Sequence, residues 1–238
     1  MLNCYNVTIE KHNNFYVLRD DLLLGGTKSR FIEKLLNKEK DGYVYASPVY
    51  GGFQIALAGV CKKINKQAVI FCAKRKEPHT NSLKVKKLGG LVYQVPYGYL
   101  SNVQKKAKDF IANNRNYEIL KFGANYQVAI DEIALTMQAV TRKLKFEPDN
   151  IWCAYGSGTL TKGIIKGTSK SIVKAVQVGK ECDFKHPRLQ IYKYPKPFDY
   201  LSKYKKSFDS CENYDLKAWE MCNKIEKNRN ATLFWNVL

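Results

Sequence analysis

Short apolar runs and amphipathic stretches alternate along most of this chain, and that alternation leaves few folds open. Residues 67–72 are apolar almost throughout, as a strand covered on both faces of a parallel sheet requires. Strands are also expected at 43–47, 91–95, 117–120, 150–155, 172–178, 189–192 and 231–237. Helical spacing predicts helices at 51–63, 82–88, 102–112, 127–144, 159–166 and 214–226. In the longest, Ile130, Ile133, Met137, Val140 and Leu144 share one face, and Pro148 stops it. Residues 1–18 alternate weakly through Tyr5, Val7, Ile9, Phe15, Tyr16 and Val17, with Asn13–Asn14 placed to turn an edge hairpin. Residues 193–213 carry Pro195 and Pro197 and read as loop with one or two helical turns. The expected class is α/β with parallel sheets flanked by helices.

A chain of 238 residues can bury one large core or two modest ones. No apolar run reaches membrane-spanning length, and the first residues lack a basic-then-apolar leader pattern. Seven cysteines are scattered without metal-type spacing; Cys61, Cys72 and Cys153 lie in apolar runs and read as buried thiols. His12, His79 and His186 are far apart, and no metal is expected. The expected setting is reducing and cytoplasmic, the host cytoplasm if the source is viral. The net charge of +19 suits a nucleic acid such as DNA, or an anionic substrate, and equally a lysine-rich solvated surface. Along the sequence the basic residues are spread rather than packed in one arm.

Two stretches carry chemistry. In Arg19-Asp20-Asp21-Leu22-Leu23-Leu24-Gly25-Gly26-Thr27-Lys28-Ser29-Arg30, two carboxylates and two glycines lead into a lysine at a helix start. Thr27 is the expected N-cap, and Phe31, Ile32, Leu35 and Leu36 form the buried face behind it. A held, partly desolvated amine is a candidate nucleophile toward carbonyls; a solvated first-turn lysine is the plainer alternative. Further on, a strand runs through Gly156-Ser157-Gly158-Thr159 into a helix. Glycines allow close backbone approach, and a helix N-terminus offers amides and positive potential to an anion. An ordinary turn is the alternative there.

Arg-Asp-Asp-(x)3-Gly-Gly-x-Lys-x-Arg resembles the opening of the pyridoxal-phosphate enzymes related to tryptophan synthase β (fold type II). The branch it looks most like is aminocyclopropane-carboxylate deaminase and D-cysteine desulfhydrase. The resemblance implies that Lys28 carries pyridoxal 5'-phosphate as an internal aldimine, with Thr27 where the family has Asn. It implies that Gly156, Ser157, Gly158 and Thr159 bind the phosphate, with Gly163 as the family's glycine in the following helix. Tyr50, Gly51, Gly52, Phe53 and Gln54 stand where relatives hold the substrate carboxylate, and Gly52 or Phe53 replaces the asparagine that touches the cofactor there. Asn236 falls on the last strand and is a candidate partner for the ring nitrogen. A deaminase-type tyrosine segment does not align; Tyr194, Tyr200 and Tyr204 are loose candidates.

By the same resemblance the fold has two α/β domains. Residues 1–42 and 128–238 would form the larger, and residues 43–127 the smaller one inserted in it. The implied activity is that of a lyase, deaminase or transferase on an amino acid or amino-acid-like group, in an enzyme of a family that often dimerises. The competing expectations are the same chemistry on an amino-acid adduct of DNA bases, and a non-catalytic binding protein on the same fold.

Overall fold

The computed structural model describes residues 6–96, 98–124, 126–179 and 183–238. Tyr5 of the expected hairpin therefore lies outside the described residues. In chain order the elements are β1 (Ile9–His12), β2 (Phe15–Arg19), α1 (Ile32–Leu35), β3 (Gly42–Ala46), α2 (Phe53–Lys63), β4 (Gln67–Ala73), α3 (Thr80–Lys87), β5 (Leu91–Val95), α4 (Leu100–Asn113) and β6 (Tyr117–Ile119). They continue with α5 (Gln127–Leu144), β7 (Asn150–Tyr155), α6 (Thr159–Gly167), β8 (Ile172–Gln177), β9 (Leu189–Lys193), α7 (Asp215–Ile225) and β10 (Thr232–Asn236).

The elements gather into two compact units, residues 24–124 and residues 1–23 with 125–238. Residues 24–42 group with the smaller unit for steric reasons. The Gly25 backbone lies against Ala56 of α2, α1 packs on α2, and Glu33 pairs with Lys63.

In the larger unit six strands run in the order β1-β2-β10-β7-β8-β9. Only β1 is antiparallel, and it pairs with β2 through a two-residue turn. Asn13 and Asn14 occupy that turn with φ of +50° and +68°, a backbone region asparagine tolerates well. The last strand, β10, enters between β2 and β7, and all five of its residues are buried. Strand alternation sends Phe15, Val17, Trp152, Ala154, Val176 and Phe234 to one face, where Leu216, Ala218 and Trp219 of α7 cover them. Trp219 meets Phe15, Phe208 and Phe234 edge-on at 5.5, 5.0 and 5.0 Å. α5 and α6 pack on each other, and α6 packs on β7 and β8.

Residues 194–213 are loop, as expected, but without the one or two expected helical turns. The segment is instead pinned from outside. The fully buried Lys217 ammonium donates to the carbonyls of Pro197 and Phe198 (2.7 and 3.0 Å), and the Ser202 amide to Glu212 O (2.9 Å). Carbonyls satisfied in this way have no need of a helix.

The smaller unit is a four-stranded parallel sheet, β5-β4-β3-β6. α4 sets Val103 and Ala107 against Val44, Ala46, Val69 and Phe71. α2 packs on β4 and β3, and α3 on α2 and β5. Cys61, Cys72 and Cys153 are buried free thiols; burial pushes Cys61 up to about 12.

Candidate active site

Lys28 sits in a 3-10 turn, Gly26–Arg30, rather than in the first turn of an α-helix. The cap is Gly25, at φ +87°, and Thr27 is buried within the turn without capping it. Gly25 is required twice over: its φ belongs to glycine, and a Cβ there would stand 2.4 Å from the Ala56 amide nitrogen. The Ser29 hydroxyl donates to Leu24 O and closes the turn. Phe31, Ile32 and Leu36 are buried behind it, and Lys28 itself is half-buried. The two carboxylates before the glycines are structural. Asp21 takes the Arg19 guanidinium at 2.8 Å, and Asp20 accepts the Trp235 indole N–H at 3.0 Å, tying β10 to the end of β2.

In the larger unit, β7 delivers its last residue, Tyr155, into the Gly156–Thr159 loop. Gly158 caps α6 at φ +80°. The Thr161 hydroxyl is fully buried and donates to Gly158 O at 2.8 Å, bracing the loop. Ser157 and Thr159 bring their hydroxyls within 3.1 Å of each other. Gly163 lets α6 lie against α5: a Cβ there would stand 2.5 Å from Ile133 Cβ. The amides of a helix's first turn lack intrahelical acceptors, so this loop suits an anion.

Sequence reasoning passed over one residue here. Tyr214, at the start of α7, aims its hydroxyl at the loop: a Cβ on Gly156 would stand 2.8 Å from it. Burial, with Asp215 and Cys153 nearby, raises this phenol far above its ordinary value, so it stays protonated. Its sequence signal was weak, one tyrosine among sixteen at a helix start. The tyrosines named from sequence have other surroundings. Tyr194 donates to Glu220 Oε2 at 2.7 Å, Tyr204 packs on the core and Tyr200 is exposed.

In the smaller unit, residues 47–54 form a tight loop into α2. The Gly51 amide donates to Pro48 O at 2.9 Å, and Gly52 caps the helix. Gln54 is fully buried; its Nε2 lies 3.3, 3.0 and 3.1 Å from the carbonyls of Pro48, Val49 and Gly51. Its Oε1 is buried with no partner among the described residues. Phe53 is buried against Tyr45, so at this position only backbone faces a ligand. Tyr50 meets His79 edge-on at 4.9 Å and lies 5.8 Å beneath the Arg75 guanidinium. Burial, then Arg75 and Lys84, lower the His79 pKa, and its Nδ1 accepts the Asn81 amide of α3.

Asn236 is fully buried. Its Oδ1 accepts from the Ser210 hydroxyl at 2.8 Å and its Nδ2 donates to Asp209 O at 2.7 Å. Both ends of this amide hold the 209–210 loop.

Residues 3–191 match the family described as "Pyridoxal-phosphate dependent enzyme". Among curated proteins none matches the chain. Among solved structures, one of an ACC deaminase homologue superposes with a TM-score of 0.79 at 16% identity, over 94% of this chain and 83% of the other. An O-acetyl serine sulfhydrylase from Entamoeba histolytica gives 0.70 at 12% identity, over 98% and 85%. A hydrogen sulfide-producing enzyme from Fusobacterium nucleatum gives 0.68 at 13%, over 98% and 94%. At such identities the likeness is one of fold, the two-unit tryptophan synthase β-like arrangement of parallel sheets.

Proposed function

Because the chain belongs to the pyridoxal-phosphate dependent enzymes of fold type II, we propose that it acts on an amino acid or amino-acid-like group as a lyase, deaminase or transferase. The observation that carries the proposal is the Gly156–Thr159 cradle. It combines a glycine at positive φ, a nine-residue helix N-terminus, two hydroxyls and a Tyr214 phenol at the Gly156 backbone. Those donors fit a phosphate dianion.

Lys28 would hold pyridoxal 5'-phosphate through its amine and afterwards hold or return the proton of the substrate Cα. When bound, the cofactor's pyridine ring would supply the electron sink for the resulting carbanion. Tyr214, kept protonated, would donate a hydrogen bond from Oη to the phosphate in the cradle. The amides at Gly52–Gln54 would orient a substrate carboxylate at the N-terminus of α2, in place of the family's asparagine. Asn236 is committed to the 209–210 loop and is left out of the proposed machinery.

The test is a screen of amino acids with added cofactor, reading keto acid, ammonia and sulfide, run beside Lys28→Ala. Turnover that disappears in Lys28→Ala is expected. The replacement of the asparagine by Gly52 or Phe53 favours one competing reading, a binding protein on the same fold. Cofactor capture at Lys28 without turnover of any substrate would establish that reading instead.

A further inference from the structure

The charge of this chain is spread along its sequence but not through its fold. The smaller unit, residues 24–124, holds nineteen Lys and Arg against six Asp and Glu, a net of +13 out of +19. The larger unit holds twenty-one against fifteen, a net of +6. Within the smaller unit, residues 42–108 carry twelve cations and a single carboxylate, Glu77.

Folding concentrates half of those twelve at one end. α2 and α3 pack side by side, and the connections that follow them meet where Gln67 Nε2 donates to Gly89 O at 3.0 Å. Lys62, Lys63 and Lys66 therefore share that end with Lys84, Lys86 and Lys87. Lys63 is paired with Glu33 at 2.8 Å; the other five have no carboxylate partner among the described residues. The last turn of a helix favours cations, which explains why lysines are tolerated there. It does not explain why the surrounding stretch omits the acidic residues that would balance them.

We propose that this lysine end of the smaller unit binds the phosphodiester backbone of a nucleic acid. The inference stands on the charge of that unit alone and is independent of the cofactor chemistry. Lysines on flexible stems suit repeated point contacts to phosphate. A protein partner fits less well, because the exposed large apolar side chains on α3 and β5 are Leu83, Leu91 and Tyr93, too few for the apolar centre of a protein interface.

The experiment uses the full chain and a short labelled DNA duplex, with anisotropy read between about 50 and 200 mM salt. The comparison is the variant Lys62→Gln/Lys66→Gln/Lys84→Gln/Lys87→Gln. The control is Lys185→Gln/Lys203→Gln/Lys205→Gln/Lys227→Gln in the larger unit. Wild type and control should bind alike, with log K falling linearly against log salt. The lysine-end variant should lose at least about tenfold in affinity at the lowest salt, and its slope should flatten by up to about 3.6, at about 0.9 per phosphate contact. Unlabelled polyglutamate should not compete at equal charge. No binding at low salt, equal losses in both variants, or full competition by polyglutamate would each overturn the proposal. Circular dichroism of both variants guards against misfolding.

Discussion

Glu147 shows how much one side chain can hold. Its carboxylate accepts from the amides of Ser169, Lys170 and Ser171 and from the hydroxyls of Ser169 and Ser171 (2.7–3.1 Å), clamping the α5–β7 connection to the α6–β8 connection. Partial burial pushes its pKa up, but those five donors outweigh it and hold the value at about 2, below 4.5. A depressed carboxylate contributes stability that is complete above about pH 4.5 and is lost as pH falls through about 2. Allowing for its partial exposure, roughly 1–2 kcal/mol is involved. Glu147→Gln should therefore lower stability at pH 7 by that amount and leave it nearly unchanged near pH 2, as read from denaturant midpoints. At the candidate site, Tyr214→Phe should weaken cofactor capture by up to about tenfold, the worth of about one hydrogen bond. Unchanged capture would remove the phenol from the cradle. The bend that holds Lys28 could be read from the sequence because glycines and an apolar face frame it. Tyr214 could not, because its neighbour Gly156 lies almost sixty positions earlier and only tertiary packing joins them.

Among the elements, the strands and helices were legible because their periods differ and because glycine, proline and asparagine mark their ends. α5 and the Asn13–Asn14 turn are examples. Thr27 was misread for a physical reason. A capping hydroxyl needs extended backbone at its own position, and two glycines at positive φ, Gly25 and Gly26, wind the chain into a 3-10 turn first. The 193–213 segment was rightly read as loop, but its one or two expected helical turns are absent, because its ties come from Lys217 and Glu220, on a helix later in the chain. The α5–α6 contact makes a sharper prediction. Gly163→Ala regains up to about 1 kcal/mol of helix propensity but forces a methyl against Ile133, at about 1–3 kcal/mol. Net destabilisation is expected, and the double variant with Ile133→Gly, which removes the Cβ that alanine would keep, should cost less than the two single changes summed. Strict additivity would mean that the close approach is not what Gly163 provides.

At the scale of the whole molecule, the α/β class followed from alternation alone, whereas the units did not follow from any composition break. Residues 24–42 belong with the smaller unit through packing on α2, which no local pattern announces. The charge asymmetry between the units was hidden for the same reason. No helix among the described residues is long and apolar enough to cross a membrane. The Lys28 turn lies in one unit and the Gly156–Thr159 cradle in the other. With forty lysines and arginines on the chain, the decisive measurement is where the cofactor attaches, not whether it does. The protein would be mixed with one equivalent of pyridoxal 5'-phosphate, reduced with borohydride, digested and mapped by mass. The account predicts a phosphopyridoxyl group on the Lys28 peptide alone, sharply reduced when Gly158→Val spoils the cradle. A label shared among many lysines, or one on Lys28 indifferent to Gly158→Val, would contradict it.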